Sequence, residues 1–507
     1  MIVLPNSLKE LHITGLTLDS RAVKPGYLFV AVEGVHAHGK MFIEQAAERG
    51  AVAVLVDKKE SVNSSGSIPI IAIEFLQQTL SALAGTFYSN PSYDVPVIGI
   101  TGTNGKTTCS QLLAQALAYL NRPCGVIGTL GYGLVKNDPD TINENSLGDL
   151  KSTGMTTPDA ITTQAISAEL LSAGAHCFSM EVSSHALSQS RVAAIHINTA
   201  IFTNLSHDHL DYHGDMDAYG AAKAALFAMP SVGTAIINQD DDYAKDLVAK
   251  LRSDIDIITY SIDQPNSMSG KAGAHFSLQS IAMGEQGMCA QLVLDAKPVM
   301  NIQTSLVGQF NLSNLLAIIA ALYNQQYSFS DIEKVIPQLP PILGRMELIP
   351  SHLNFRVVVD YAHTPDALKN ALQALVPHAT GNLWCVFGCG GDRDRGKRPQ
   401  MSSIAARYAD KVIVTSDNPR TESPVQIFAD IERGFESTES EFHQIIADRA
   451  SAIEYVIQEA EIGDVILIAG KGHEDYQIIG ARHFPFSDQQ QARFNLRRRE
   501  VEENLHD

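Results

Sequence analysis

Residues 95–108 read Val-Pro-Val-Ile-Gly-Ile-Thr-Gly-Thr-Asn-Gly-Lys-Thr-Thr, and this stretch decides the fold. An apolar, β-branched run that enters a glycine-bearing turn and then Lys and Thr predicts strand, loop and helix in that order. Leu112, Leu113, Ala116, Leu117 and Leu120 fall on one face of that helix, and Asn121-Arg122-Pro123 ends it. A loop feeding a helix N-terminus aims backbone N–H groups and the positive end of the helix dipole at its ligand, which suits phosphate. Lys106 would reach the terminal phosphates, and the Thr107 hydroxyl would hold Mg²⁺. The common phosphate loop has a glycine where this chain has Ile100, leaving the shorter Gly102-x-x-Gly105-Lys106-Thr107. The loop reads as a nucleotide site.

A chain of 507 residues is too long for one core and suggests about three domains. A net charge of −19 argues against a broad nucleic-acid or anionic-membrane surface. Met1-Ile2-Val3-Leu4-Pro5 lacks the basic segment and long apolar core of a signal peptide, and no apolar run approaches the ~18 residues of a membrane span. The 6 cysteines are scattered, and Cys385 and Cys389 have the wrong spacing for a C-x-x-C pair. Buried thiols in a reducing cytoplasm are expected.

Short strands (Leu28 to Val32, Ala53 to Val56, Ile68 to Ile73) and one helical stretch from Phe42 to Arg49 make the first ninety or so residues a small α/β module. It carries Leu18-Asp19-Ser20-Arg21 and Gly34-Val35-His36-Ala37-His38-Gly39. The turn-rich Tyr88-Ser89-Asn90-Pro91-Ser92 sets a boundary, giving a first domain over 1–92. From 93 to 340, apolar runs alternate with helical patterns, as in a largely parallel sheet with helices on both faces. His176 to Val182 and Ile195 to Thr203 are two of its strands, leading into Glu181 and Asn204-Leu205-Ser206, and ligands gather beyond such carboxyl ends. The last third, 341–507, repeats one device: Arg356 to Val359, Leu383 to Phe387, Lys411 to Thr415 and Val465 to Ala469 each run into a polar or glycine-bearing loop. That predicts a second doubly wound domain of Rossmann type. The expected fold class is therefore α/β in three domains.

Glu181, in Glu181-Val182-Ser183-Ser184-His185, can join Thr107 in an oxygen shell for Mg²⁺. His207-Asp208-His209-Leu210-Asp211-Tyr212-His213 resembles a dinuclear zinc motif, but its last histidine is one residue late, and a zinc hydrolase has no use for the loop at 101–108. One imidazole of this run can serve a metal beside the nucleotide. Lys223, within the helical stretch Met216 to Phe227, reads from pattern alone as an ordinary lysine. The C-terminal loops hold Arg393, Arg395, Lys397, Arg398, Arg420 and Lys471, and their convergence at one sheet edge predicts a carboxylate or phosphate pocket.

With these residues in view the chain resembles the Mur ligase family over nearly its whole length. The markers are Thr101-Gly102-Thr103-Asn104-Gly105-Lys106-Thr107-Thr108, Glu181-Val182-Ser183-Ser184-His185, Asp208-His209-Leu210-Asp211, Gly308-Gln309-Phe310-Asn311 and Gly344-Arg345-Met346-Glu347. Leu18-Asp19-Ser20-Arg21 and Gly470-Lys471-Gly472-His473-Glu474 are similar to the member that adds the third amino acid to a UDP-N-acetylmuramoyl dipeptide. Asp417-Asn418-Pro419-Arg420 is similar to the signature of the form that adds meso-diaminopimelate, whereas the lysine-adding form lacks the arginine.

The resemblance implies an ATP-dependent amide ligase with two Mg²⁺ ions. Gly102, Thr103, Asn104, Gly105, Lys106, Thr107 and Thr108 would hold the ATP phosphates, with Asn311 near adenine, Asp360 near ribose and Arg345 on the γ-phosphate. Thr107 and Glu181 would bind one Mg²⁺; His209 and a carbamylated Lys223 would bind the second. Lys106, Lys223, His209 and Arg345 would carry catalysis. Leu18, Ser20, Thr156, Thr157, Ser183, Gln189 and Arg191 would contact the UDP-precursor, with uridine contacts from Val35-His36-Ala37. Met155 departs from the polar residue common in relatives and is left out. Arg393, Asp417, Asn418, Pro419, Arg420, Gly470 and Glu474 would hold diaminopimelate, Arg420 taking the carboxylate that lysine lacks and Glu474 the ammonium beside it. The implied partners are small molecules, with no nucleic acid and no membrane insertion, for a cytoplasmic monomer. Two alternatives are a folylpolyglutamate synthetase, to which the segments at Leu18 and Asp417 do not belong, and a P-loop ATPase module acting on a partner.

Overall fold

The computed structural model describes residues 11–33, 38–59, 68–137, 150–262, 273–284, 287–436 and 443–504. The loop at Val35-His36-Ala37 lies outside them. Among the described residues three large sheets follow one another along the chain, and a two-stranded ribbon, Tyr476–Ile479 with Arg482–Pro485, lies near the end. The first has four parallel strands in sequence order, Gly15–Thr17, Tyr27–Ala31, Ala53–Asp57 and Ile70–Ile73. Two helices flank it, Ile43–Glu48 and Leu76–Phe87, where one was expected. Leu76, Leu80, Leu83 and Ala84 form the buried stripe of the second helix, and Gln77, Gln78 and Thr79 between them disguise its period.

The second sheet has ten strands. Parallel pairing runs from Ala274–Gly284 through Asp256–Tyr260, Thr234–Asn238, Thr199–Phe202, Val97–Thr101 and Cys177–Glu181 to Cys124–Gly128. Gly131–Val135 closes one edge antiparallel, and Gly287–Leu294 and Lys297–Thr304 extend the other as an antiparallel meander. The meander was not expected, because its strands alternate polar with apolar residues instead of forming the continuous runs of a buried parallel sheet. The strand expected over 195–203 starts only at Thr199; Ile195 and Ile197 are buried without joining the ladder.

Val97–Thr101 lies inside the sheet, and Ile100 is one of its core residues, paired with both Glu181 and Ile201. The position where a longer phosphate loop carries glycine is here still strand. The helix that follows, Lys106–Tyr119, is buried at every position from Thr107 to Ala118, so the expected one-sided stripe is corrected to a helix covered all round. The sheet packs on one side of it and the helix Gln309–Asn324 on the other.

The third sheet orders its strands Glu347–Ile349, Arg356–Asp360, Val465–Ala469, Leu383–Phe387, Lys411–Val414 and His443–Ile445. All pairs are parallel except the first. Separate apolar cores fill its two faces, which is the doubly wound arrangement. Among the described residues no helix is long and apolar enough to cross a membrane.

Candidate active site

The loop after Val97–Thr101 is shaped by two glycines. Gly105 has φ +86, and a Cβ there would stand 2.6 Å from Asn314 Oδ1; a Cβ on Gly102 would overlap Thr203 Oγ1. The segment after the neighbouring strand clamps the loop from outside. Thr203 Oγ1 donates to Asn104 O (2.6 Å), Asn104 N–H donates to Asn204 Oδ1 (2.8 Å), and Ser206 N–H donates to Thr103 Oγ1 (3.0 Å). The chain thus spends side chains on fixing the loop and leaves the helix N-terminus facing outward. Lys106 Nζ folds over the loop and donates to Gly102 O (2.8 Å) and Thr103 O (2.9 Å). Burial lowers its pKa.

A cavity of about 670 Å³ opens here, lined by Asn104, Gly105 and Thr108 together with Asn311, Arg345 and Asp360. Six residues assigned to the nucleotide from distant parts of the sequence therefore share one wall. Arg345 lies 4.6 Å over the Tyr361 ring, with Nη2 3.4 Å from Thr107 Oγ1 and Nε without a hydrogen-bond partner among the described residues. Asp360 accepts from Met346 N–H (2.7 Å) and Ala362 N–H (2.8 Å), while burial raises its pKa. Asn311 accepts from Asn314 Nδ2 (3.1 Å) and donates to Val307 O (2.8 Å).

Glu181 ends its strand fully buried. Its carboxylate accepts from Thr107 Oγ1 (2.9 Å), Thr129 N–H (2.8 Å) and Thr129 Oγ1 (3.0 Å), and among the described residues it has no cationic partner. A buried carboxylate balanced only by neutral donors is an incomplete arrangement, and an oxygen-rich pair of this kind suits a hard divalent cation. Among the described residues no three His, Cys, Asp or Glu side chains converge on a metal position.

The reading of Lys223 as ordinary is corrected. It is 1% exposed, sits 4.2 Å over the Tyr219 ring, and has no ion pair among the described residues. Burial, then the nearby Lys106 charge, push its pKa well below the usual lysine value. Periodicity carried no sign of this, because its helix, Met216–Ala224, is mixed in character. His209 has φ +53 at the entry to the turn Leu210–His213, with its Nε2 3.4 Å from Asp208 and its ring 4.9 Å from that of His185. Burial lowers its pKa.

Five residues assigned to the precursor form one network. Thr157 Oγ1 donates to Glu181 O (2.8 Å) and accepts from Ser183 N–H (3.0 Å). Arg191 donates to Thr157 O (2.8 Å) and Gln189 Oε1 (2.7 Å), and Thr156 Oγ1 lies 3.1 Å from Thr129 Oγ1. Met155, left out above, touches this group through Sδ, 3.5 Å from Arg191 Nη1. Leu18 and Ser20 stand apart, just after the first strand of the first sheet, Ser20 donating to Gln45 (2.6 Å). Thr129 was missed, although Gly128-Thr129 at the carboxyl end of an apolar strand carries the same signal that pointed to Glu181.

The C-terminal loops also converge, but most of their cations are already paired. Arg398 binds Glu422 (2.6 Å) and Asp430 (2.9 Å), Arg395 binds Asp430 (2.9 Å), and Lys397 donates to His363 O (2.9 Å). Lys471, 0% exposed, lies 3.0 Å from Asn418 Oδ1, 3.3 Å from Glu474 and 3.4 Å from Asp417. Asn418 Nδ2 donates to Glu474 (2.8 Å). Four of the six cations from which a carboxylate or phosphate pocket was expected, Arg395, Lys397, Arg398 and Lys471, are thus engaged within the protein. Among the described residues the Arg420 guanidinium donates only to the carbonyls of Gly391 (3.0 Å) and Asn418 (3.4 Å), and Arg393 is exposed. Pro419 follows Asn418 in the same loop, and Gly470 N–H donates to Asp360 O (3.0 Å), joining this pocket to the nucleotide wall.

Comparison with known proteins agrees with this layout. Family models match for the Mur ligase family catalytic domain over 12–88, the Mur ligase middle domain over 100–322 and the Mur ligase glutamate ligase domain over 344–472. The chain is 47% identical over 490 residues to UDP-N-acetylmuramoyl-L-alanyl-D-glutamate–2,6-diaminopimelate ligase of Pseudomonas aeruginosa, covering 96% of each. It is 42% identical over 485 residues to the enzyme of that name from Coxiella burnetii, again covering 96% of each. A solved structure of a ligase of that name aligns with TM-score 0.66 at 35% identity, covering 96% of this chain and 95% of the other. MurF of Thermotoga maritima, solved with ADP, shares the fold with TM-score 0.64 at 18% identity, covering 97% and 99%. Matched along nearly its entire length, this chain belongs to the Mur ligase family.

Proposed function

We propose that the chain catalyses ATP-dependent addition of meso-diaminopimelate to the side-chain carboxylate of the D-glutamyl unit in UDP-N-acetylmuramoyl-L-alanyl-D-glutamate, a cytoplasmic step of peptidoglycan precursor synthesis. One observation carries the reading beside the relatives. Lys106 and Arg345, two cations without an ion pair among the described residues, lie beside Thr107 and Glu181. Driving an anionic carboxylate onto an anionic phosphate demands such a concentration of positive charge.

In this reading residues 1–92 and the Thr156–Arg191 network hold the precursor, 93–340 the nucleotide, and 341–507 the amino acid. The precursor carboxylate attacks the γ-phosphorus of ATP; ADP leaves and an acyl phosphate forms. Lys106 and Arg345 bind the transferring group, and the loop amides orient it. Thr107 and Glu181 would hold one Mg²⁺ and His209 with Lys223 a second, the ions supplying further charge neutralisation. Burial disfavours the Lys223 ammonium, and the amine form is nucleophilic toward CO₂. The N–C bond forms, a proton departs, and the resulting carbamate gives the anionic ligand that an ammonium cannot; mass spectrometry at mild pH checks for it. The free amine of diaminopimelate then attacks the acyl carbon and phosphate leaves. All three substrates are small molecules, and one chain acting as a monomer carries every group named.

Phosphate release in the presence of the UDP-dipeptide tests the reading, with diaminopimelate, lysine or neither added. Release is expected only with diaminopimelate. Arg420→Ala is expected to lower kcat/KM for diaminopimelate about a hundredfold, since a charge-assisted contact to its extra carboxylate disappears. Equal activity with lysine in the unaltered protein overturns the role given to Arg420. Release with neither amino acid overturns the ligase reading in favour of an ATPase.

A further inference from the structure

The carboxylate of Glu181 is held by one residue that also reaches the precursor network. Thr129 directs its backbone N–H to Oε1 (2.8 Å) and its hydroxyl to Oε2 (3.0 Å), and the same hydroxyl lies 3.1 Å from Thr156 Oγ1. A hydroxyl has one proton and two lone pairs. The single Thr129 proton therefore faces two acceptors, Glu181 Oε2 and Thr156 Oγ1. Thr129 thus divides its donation between the precursor network and the carboxylate, whose Oε2 also accepts from Thr107 at the phosphate loop. The carboxylate has no slack beside it, because a Cβ on Gly128 would overlap Oε1. Its rotamer is therefore set by these donors.

We propose that Thr129 is a positioning residue that fixes Glu181 for the divalent cation and couples occupancy of the precursor side, through Thr156, to Mg²⁺-nucleotide affinity. The inference rests on the ligase reading for the identity of the precursor, but not for the hold on Glu181. When a precursor group engages the Thr156 hydroxyl, the share of the Thr129 proton that Thr156 takes changes. The hydrogen bonds around Glu181 change with it, and the two sites acquire a coupling free energy without a moving domain.

Calorimetry of the full-length protein with a non-hydrolysable ATP analogue tests this, with and without Mg²⁺ and the UDP-N-acetylmuramoyl dipeptide, and with no amino acid present. Thr129→Val keeps the volume and the backbone N–H and deletes only the hydroxyl. It is expected to weaken Mg²⁺-dependent binding of the analogue about tenfold, with Mg²⁺-free binding unchanged, while Thr129→Ser stays within about twofold. The dipeptide is expected to shift analogue affinity in the unaltered protein and to lose that effect in both Thr129→Val and Thr156→Val. Unchanged Mg²⁺ dependence in Thr129→Val, or a serine variant as weak as the valine one, overturns the positioning role. A dipeptide effect that survives Thr129→Val, or is absent from the unaltered protein, overturns the coupling. Failure of the unaltered protein to bind the dipeptide at all instead overturns the functional reading, and the Mg²⁺ measurements still decide Thr129.

Discussion

The two halves of the site treat positive charge in opposite ways. Beside the phosphate loop, Lys106, Lys223 and Arg345 are buried or half-buried, and none of them forms an ion pair among the described residues. Around the C-terminal loops, Arg395, Arg398, Arg449 and Lys471 are each locked to Asp or Glu. A buried cation without a partner lowers stability and is retained where a ligand completes it; a paired one holds a loop in place. The first region suits a polyanion that comes and goes. The second suits a zwitterion, for which most of the charge must already be neutralised and only Arg420, Arg393 and one face of Glu474 remain on offer.

Deleting a cation from each region separates these roles. Lys106→Met removes a group with no carboxylate partner, so phosphate release is expected to fall at least a thousandfold, roughly 4 kcal/mol of transition-state stabilisation, in stopped-time assays. Thermal unfolding without ligand is expected to move little or upward. Arg449→Met has the reverse signature. Its guanidinium binds both oxygens of Asp488 at 2.7 Å and donates to Ala469 O (2.9 Å), directly before Gly470, and both partners are buried. Stranding Asp488 is expected to cost about 3 kcal/mol in denaturant titration. Arg449→Met with Asp488→Leu is expected to recover most of that. If Lys106→Met unfolded the chain and Arg449→Met merely slowed it, the contrast between the regions would collapse.

What could be read in advance follows the same division between local and distant causes. Leu383–Phe387 and Val465–Ala469 have the bounds expected of them, because each is an unbroken apolar run stopped by polar or glycine residues. Glu181 was legible for a related reason: an acid at the carboxyl end of a buried strand faces the ligand edge. Thr199–Phe202 came out shorter than expected, since Ile195 and Ile197 are apolar for packing and not for pairing. Lys223 could not be recognised from its helix: Tyr219 stands one turn earlier on it, but the Lys106 charge that acts on Lys223 comes from the phosphate loop, far off in sequence. The neutralisation of Arg398 and Lys471 was equally invisible. Glu474 is only three residues from Lys471, but Glu422, Asp430 and Asp417 are distant in sequence from the cations they meet, and the fold of the domain brings them together.

The smallest effect probes the paired region alone. Glu422 accepts from Arg398 through both oxygens (2.7 and 2.6 Å) and from Asp392 N–H (3.1 Å), and the Arg398 guanidinium holds its pKa down to about 2. A carboxyl whose folded value lies below its unfolded one binds fewer protons when folded. Its stabilisation is complete above the unfolded value near 4.5 and is lost as pH falls through about 2. The stability gap between the unaltered protein and Glu422→Gln is therefore expected to be flat from neutral pH down to about 5 and to shrink steadily below that. Its plateau should be about 2 kcal/mol, less than the shift alone implies, because Arg395 beside the pair reaches solvent and Asp430 still holds Arg398 in the variant. Denaturant midpoints at several pH values measure it. A gap that stayed constant to the lowest pH at which the chain folds would mean that Glu422 acts by shape and not by charge.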